Sequence, residues 1–259
     1  MNGPGQFNWN GWLVFGLLLL LWEGVSRSSP QLQSYIPPVS QVILALSRLI
    51  VSGRMTPHLL ATLRRFFEGY LLAATLAVTL GMVLGYFRFA HSLAEILIEF
   101  LRPMPSVAII PVAILLLGIG DGMIVAVTVY ASTWPILINT IDGVRRIERT
   151  LIDTGRTFGL ARWRMLWQIV LPAASPYIVT GLRISLSIAL ILVTTAEMIA
   201  GSRGLGFFIL DEERSLQSGN MYAGIVLVAL VGYLLNRLFV ALEAKAMQWR
   251  RGMVAREAV

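Results

Sequence analysis

The chain has 259 residues, of which 56% are hydrophobic and only 14% are charged, and its mean hydropathy is +0.73. A soluble domain carries about 25% charged residues, so the composition excludes a soluble protein and indicates one membrane domain with five or six spans. There is no cysteine, which excludes disulfides and thiolate metal sites, and the two histidines, His58 and His91, are too far apart to indicate a metal site.

The formal net charge of +7 does not indicate a nucleic-acid partner. No basic patch is interleaved with aromatic residues, and cytoplasmic loops of membrane proteins carry excess arginine that anionic lipid favours. The only lysine, Lys245, follows Ala244, so the chain has no Gly-Lys-Ser/Thr sequence and therefore no P-loop. If ATP drives this protein, another subunit must bind the nucleotide.

The N-terminal segment is predicted to hold a first span at residues 12–25, which are apolar apart from Glu23. A signal peptide is the alternative, but a basic leading region and an Ala-x-Ala-like cleavage site are missing. Residues 28–58 contain helix-breaking prolines at 30, 37 and 38 and an amphipathic stretch at 39–51, which we interpret as interfacial and too polar to span. Residues 1–58 are thus predicted as a span with an interfacial segment.

The second and third predicted spans differ in what interrupts them. Residues 63–87 contain Gly81 and Gly85, a Gly-x-x-x-Gly pair that either permits close helix packing or arises by chance. Residues 93–117 are interrupted by Glu95, Glu99, Arg102, Pro103, Pro105 and Pro111. Broken backbone at membrane depth survives only inside protein or along a cavity. This span is therefore predicted to pack inside the bundle near the pathway, and the alternative is a kinked packing helix with interfacial charges.

Three further spans are predicted at residues 123–141, 177–200 and 221–242. Arg183 lies six residues after Tyr177, so we interpret it as snorkelling to the cytoplasmic face. The glycines at positions 201, 204 and 206 follow the fifth span and are interpreted as a tight re-entrant turn.

Six spans place both termini on one side of the membrane. Eleven basic residues fall on that side and seven on the other, although Arg64 and Arg65 fall on the less basic side. The positive-inside rule then places both termini and the loop at residues 142–175 in the cytoplasm.

That loop is long, polar and helical in pattern. It carries six arginines against three acids. Ile147, Leu151 and Phe158 fall on one helical stripe, and Gly159 suits a turn with positive φ. A second amphipathic stretch follows and is predicted to end at Leu171-Pro172. Two short helices joined at a glycine suit either a groove in a partner or an anionic lipid surface.

The loop resembles the EAA loop of binding-protein-dependent ABC importer permeases. The family pattern is E-A-A, three residues, G, nine residues and I-x-L-P, and it matches at Asp153, Thr154, Gly155, Gly159, Ile169, Leu171 and Pro172. Asp replaces the usual Glu, which shortens the reach of the acid. Thr-Gly replaces Ala-Ala, which loosens the first helix by about 1 kcal/mol relative to alanine. Residues 102–120 and 196–207 are also similar to segments of permeases for nitrate, sulfonates and taurine.

The resemblance implies the type I ABC importer permease fold, an all-α membrane protein with about six spans and a cytoplasmic coupling loop between spans four and five. It implies a permease core at residues 59–245 and a cytoplasmic tail at 246–259. The implied location is the bacterial inner membrane. The implied ATPase-coupling residues are Asp153, Thr154, Gly155, Phe158, Gly159, Leu160, Ile169, Leu171 and Pro172. The pathway or gate candidates are Arg102, Pro105, Pro111, Ser132, Thr195 and Glu197.

The implied partners are two ABC ATPase subunits that bind ATP and Mg, a second permease subunit with a homodimer favoured, and an extracytoplasmic binding protein. No cofactor is expected in this chain, and no catalytic constellation is found in it. The expected substrate is a small anion such as a sulfonate, taurine or nitrate, with a thiamine-precursor pyrimidine or another small organic solute as the alternative. An ion-coupled secondary transporter, a class that often shows internal repeats, and a non-transporting scaffold are more distant alternatives.

Overall fold

The computed structural model describes residues 9–247, and within this range the chain is helical and has no strand. The helices, in chain order, are α1 (Trp9–Arg27), α2 (Pro30–Tyr35), α3 (Val39–Val51), α4 (Thr56–Tyr86), α5 (Arg88–Leu101), α6 (Ile110–Leu117), α7 (Asp121–Arg145), α8 (Arg149–Thr157), α9 (Arg162–Met165), α10 (Leu171–Ala200), α11 (Leu205–Arg214) and α12 (Ser218–Ala246). A 3₁₀ turn at Ser106–Ile109 precedes α6, and a π turn at Leu166–Val170 joins α9 to α10. Beyond Met247 the predicted tail lies outside the described residues.

The centre of the bundle is a pair of helices, α4 and α7, which pack through small residues. A Cβ atom added at Gly81 would lie 2.6 Å from Thr140 Cβ, and one added at Gly85 would lie 2.6 Å from Val144 Cβ. The partner positions advance together along both helices, so α4 and α7 run in the same direction. The predicted Gly-x-x-x-Gly pair is therefore a packing seam at which any side chain would clash.

Because α4 and α7 run in the same direction, the residues between them must carry the chain back across the bundle. Residues 88–117 do this as two helices, α5 and α6, bent by 90°. The predicted break is confirmed, and it lies where Pro103 and Pro105 precede the 3₁₀ turn. The predicted packing inside the bundle is wrong for the first half. α5 has no buried residue, whereas α6 buries Ile110 and Ala113.

Helix α10 runs antiparallel to α7 and completes the core. A Cβ atom added at Gly181 would lie 2.9 Å from the carbonyl oxygen of Pro135. The Ser185 hydroxyl donates to the carbonyl oxygen of Ser132 at 2.8 Å. These contacts fix the height of α10 against α7.

Helices α2 and α3 stay at one end of the bundle. Residues 30–51 have a mean hydropathy of 1.4, enough to span by length and composition, so the expectation that this segment is too polar was wrong. Nevertheless, the carbonyl of Ser34 accepts a hydrogen bond from Ser218 at the start of α12. Arg54, which follows α3, pairs at 3.0 Å with Glu212 in the neighbouring α11. Both ends of the segment thus lie beside the start of α12, and six crossings remain, as predicted.

The crossings define two ends of the molecule. The loop end is where α4 and α7 finish and α8 begins, and the far end is where α4 and α7 begin and α10 finishes. Met247, after α12, lies at the loop end, because its sulfur is 3.8 Å from the Ser175 hydroxyl. The C-terminus of α1 lies at the far end, where Trp22 Nε1 donates to the carbonyl of Pro37. The first and last described residues therefore both lie at the loop end.

Candidate functional site

The loop between α7 and α10 contains the predicted turn. Gly159 has a φ of +71°, a conformation that glycine adopts without strain. Its N–H donates to the carbonyl of Arg156 at 2.9 Å, and the N–H of Leu160 donates to the carbonyl of Gly155 at 3.1 Å. These two bonds close the C-terminus of α8, so the expectation of a glycine-capped helix is confirmed.

The second half of the loop does not end at Leu171-Pro172. Residues 162–200 form one helical stretch that continues through this pair into the membrane. A proline inside a helix lacks its N–H and clashes with the preceding turn. The π turn at Leu166–Val170 lies immediately before it and provides the wider backbone that such a position needs. The loop is thus continuous with the fifth span, and the predicted stop was wrong.

Gly155 joins α8 to this stretch. A Cβ atom added there would lie 2.5 Å from Ile169 Cδ1 and 2.8 Å from Met165 Cε. The glycine that departs from the Ala-Ala pattern is therefore the contact point of the two halves of the loop. Val170 and Met165, both nearly fully buried, continue this contact into the core.

The predicted apolar stripe of the loop is exposed at Leu151 and Phe158 and half-buried at Ile147. Phe158 is 80% exposed and Leu151 is 43% exposed, whereas Ile152 is half-buried and packs on the core. Trp163 and Trp167 are also exposed, with ring centroids 5.8 Å apart. We call Leu151, Phe158, Trp163 and Trp167 the loop apolar surface. An exposed patch of this kind typically marks an interaction site.

The acid of the loop contacts only its own helix. Asp153 pairs with Arg156 at 3.0 Å, and both side chains are about two-thirds exposed. The Thr154 hydroxyl donates to the carbonyl of Thr150. The remaining coupling candidates, Leu160, Ile169 and Leu171, pack partly buried against the core beneath the loop.

Beside the loop lies a basic cavity of about 780 Å³. Five arginines line it: Arg88, Arg145, Arg149, Arg156 and Arg162. A smaller cavity of about 280 Å³ adjoins it and shares Arg145 and Glu95. The candidate Arg102 lines the smaller cavity. The loop end thus concentrates positive charge around open space.

The far end contains a buried ionic cluster. Arg65 Nη1 donates to Glu197 Oε1 at 2.8 Å, and Arg65 Nε donates to Asp121 Oδ1 at 2.9 Å. The Thr62 hydroxyl donates to Glu197 Oε2 at 2.8 Å, and the N–H of Gly206 donates to the same oxygen at 3.0 Å. Glu197 is fully buried and Arg65 is 4% exposed. We call these five residues the far-end cluster.

The cluster ties four segments together: α4, the start of α7, the end of α10 and the start of α11. Gly204 turns the chain with a φ of +120°, and a Cβ atom at Gly206 would lie 2.0 Å from the carbonyl oxygen of Thr194. The predicted tight turn is thus present and held by Glu197. Sequence reasoning missed Arg65 as the partner of that acid. Its position on the less basic side of the membrane was the available signal.

The pathway candidates do not form one group. They are Arg102, Pro105 and Pro111 near the bend between α5 and α6, Ser132 and Thr195 inside the bundle, and Glu197 in the far-end cluster. Ser132 is buried, and its hydroxyl has no hydrogen-bond partner among the described residues.

Arg183 does not lie near the loop end, contrary to the snorkelling interpretation. Its helix begins at Leu171 rather than near Tyr177, and the contacts of Gly181 and Ser185 place it level with residues 132–136, the middle of α7. The error came from taking the helix start from hydropathy alone.

Comparison with known proteins identifies relatives of this chain. The family model described as "Binding-protein-dependent transport system inner membrane component" matches residues 77–248. The putative aliphatic sulfonates transport permease protein SsuC of Bacillus subtilis is 28% identical over 96% of this chain and 90% of its own length. The nitrate import permease protein NrtB of Synechocystis is 31% identical over 90% of this chain and 86% of its own length.

Among solved structures, the fold is similar to a chain of the MetNI methionine ABC transporter in an inward-facing conformation. The TM-score is 0.61 at 18% identity, over 73% of this chain and 94% of that one.

Proposed function

This chain belongs to the family of binding-protein-dependent transport system inner membrane components, and on that premise we propose that it carries a small anionic solute across the membrane. The chain is a multi-pass permease subunit of an ABC importer, and its family consists of transporters rather than enzymes. The named relatives are permeases for sulfonates and nitrate, which supports a sulfonate, taurine or nitrate-like substrate here.

In this proposal two copies of the chain form the pathway, and two ATPase subunits dock at the loop end. The observation that carries it is the loop apolar surface, since Phe158 and the two tryptophans are exposed beside a helix that continues into the membrane. Because Gly155 rests on Met165 and Ile169, a displacement of α8 passes directly to that helix. ATP and Mg bind in the ATPase subunits, since this chain has no P-loop.

The proposal also sets the orientation. The loop end, with its basic cavity and the first and last described residues, faces the cytoplasm. The far end faces the binding protein that delivers the solute. The excess of arginine at the loop end supports this arrangement.

Substitutions at Gly159 test the coupling role. Gly159→Pro forbids a φ of +71° and removes the N–H that closes α8. Gly159→Asn is the matched control, because asparagine tolerates this conformation. We expect the proline variant to reach the membrane but to lose uptake and binding-protein-stimulated ATP hydrolysis, while the asparagine variant keeps most of both.

Two results would refute the proposal. One is normal uptake by Gly159→Pro. The other is uptake by the wild-type protein that persists when ATP is depleted and the ion gradient is kept, together with purification that never yields an ATPase subunit.

A further inference from the structure

Arg183 lies at mid-height in the membrane-spanning bundle. Gly181 packs against Pro135, and Ser185 bonds to Ser132, so Arg183 is level with the middle of α7. At 1.5 Å per residue, the middle of this 25-residue helix is roughly 18 Å from either end. The hydrocarbon core is about 15 Å deep on each side of its centre. The backbone of Arg183 thus lies near the middle of the span rather than at either interface.

The guanidinium of Arg183 is exposed and has no ion pair or hydrogen bond with residues 9–247. A charge at the bilayer centre is costly, and such residues face the bundle interior, a partner or a water-filled cavity rather than lipid. In the far-end cluster, Arg65 is stabilised inside the bundle between two acids. Arg183 has no such acid among the described residues, so its charge must be stabilised by a partner or by water.

The exposed face of α10 around Arg183 is mixed, with two hydroxyl side chains beside exposed isoleucines at positions 184 and 191. Thr180 and Ser187 are also exposed and lie three residues before and four residues after it, which places all three on one face of α10. We call these three residues the α10 track. Thr194, half-buried, continues the same face one helical repeat further.

Helix α1 provides the contrast. Its exposed residues include Leu13, Phe15, Leu18 and Leu20, each between 54% and 70% exposed, and they form an apolar surface suited to lipid. The exposed face of α10 carries a cation and two hydroxyls among exposed isoleucines at a comparable depth. A cation at that depth requires water or an anionic partner, whereas the exposed face of α1 requires neither.

We propose that the α10 track lines the aqueous pathway and that Arg183 binds the anionic solute in transit. A guanidinium presents its N–H groups in a planar fork that matches two oxygens of a sulfonate, nitrate or carboxylate. The hydroxyl of Ser187 provides a further donor, whereas the Thr180 hydroxyl donates to the backbone carbonyl of Pro176 at 2.9 Å. This assignment rests on the proposed import of an anion and names the residue that recognises it.

Thiol labelling tests the location without requiring transport. The chain has no cysteine, so Ser187→Cys introduces the only thiol of this chain, once in each copy, and labelling is read on this chain. The probes are methanethiosulfonate ethylsulfonate, which is a sulfonate anion, and its trimethylammonium counterpart. We expect Ser187→Cys to react and to favour the anionic reagent by about tenfold or more, the low end of the effect of charge in a cleft. That preference should disappear when Arg183→Gln is added.

Leu18→Cys on α1 is the matched control and should stay unreactive because it faces lipid. The assignment is overturned if Ser187→Cys reacts no faster than Leu18→Cys in every nucleotide state. It is equally overturned if the preference for the anionic reagent survives Arg183→Gln.

Uptake into proteoliposomes tests recognition, with taurine, ethanesulfonate and nitrate as probes. We expect Arg183→Gln to raise the KM for the transported anion at least tenfold. The KM of Arg183→Lys should lie between those of the wild type and Arg183→Gln, because lysine keeps the charge but loses the planar fork.

Arg237→Gln is the control for charge alone. Arg237 is an exposed arginine on α12, but its guanidinium lies over the Tyr233 ring at 5.8 Å and its exposed neighbours, Leu234 and Leu238, are apolar. We expect Arg237→Gln to leave the KM for the transported anion unchanged. Equal KM values for Arg183→Gln and Arg237→Gln would overturn the assignment. If the wild-type complex transports none of the three anions, the proposed substrate class fails, and thiol labelling still decides the position of Arg183.

Discussion

The two ends of this bundle hold their charges in opposite ways. At the far end, Arg65 and Glu197 are buried and share their bonds with Thr62, Asp121 and the backbone of Gly206. At the loop end, five arginines line an open cavity, and the acid of α8, Asp153, bonds only within its own exposed helix. The far-end cluster is complete within one chain, whereas the loop end presents charge and apolar surface that remain open to a partner.

This difference in burial determines which end of the bundle can move. A buried ion pair whose members lie on different helices fixes those helices together, because separating the charges leaves each one buried without a partner. Exposed pairs cost little to break.

Removal of Arg65 should have the largest effect. Arg65→Ala leaves Glu197 buried without its cation, which costs about 3–5 kcal/mol. We expect a large drop in melting temperature in detergent and in the yield of monodisperse protein. Arg64→Ala is the matched control, since Arg64 is exposed and pairs with the exposed Glu68, and equal stability of the two variants contradicts the contrast.

The combination of Arg65→Ala with Glu197→Gln sharpens this prediction. It removes both charges and should recover part of the lost stability. A double variant less stable than Arg65→Ala would show that the two charges do not act as a pair.

Gly206→Ala should be the next most costly change. The added Cβ atom would lie 2.0 Å from the backbone oxygen of Thr194, which cannot rotate away. Strain of this kind costs about 1–3 kcal/mol, and thermal unfolding should detect it. Gly122→Ala, also at the far end but with nothing within 4 Å of the added atom, should be neutral or stabilising. If Gly206→Ala were as stable as Gly122→Ala, the turn at Gly206 would not lie as close to Thr194 as the structure shows.

Gly155→Ala at the loop end should cost much less than Gly206→Ala. The atoms it would meet are the ends of Met165 and Ile169, which can change rotamer. A gain in helix propensity of about 1 kcal/mol offsets the remaining strain. We expect a melting temperature near that of the wild type, and a loss as large as that of Gly206→Ala would mean that the loop end is as rigid as the far end.

Asp153→Asn should have the smallest effect on stability. Its pair with Arg156 is exposed, and such a pair contributes roughly 0.2–1 kcal/mol, which salt screens further. The melting temperature at high salt should match that of the wild type. A clear loss that persists at high salt would show that Asp153 supports the fold itself.

The sequence predicted those features that depend on local spacing. The turn at Gly159 depends on residues a few positions away, and the seam at Gly81 and Gly85 depends on side-chain size at helical intervals. The six crossings follow from the same local patterns, together with a break at prolines. Each of these is present in the fold.

The sequence could not predict contacts between distant segments. Arg65 and Glu197 are 132 residues apart, and no local pattern around either residue indicates that the two are partners. The depth of Arg183 depends on where its helix begins, and α10 begins at Leu171, six residues before Tyr177. Whether Phe158 points outward depends on which face of α8 packs against the core. The contact of Gly155 with Met165 sets that face.

The continuous helix from Arg162 to Ala200 has a mechanical consequence. Its 39 residues make a rod roughly 58 Å long. A tilt of about 5° at the loop end would sweep the other end through about 5 Å, the pitch of one helical turn. Because the far-end cluster clamps that rod to α4 and α7, all three helices must swing as one body. In the proposed complex of two copies, the hinge is then the boundary between this body and the second copy.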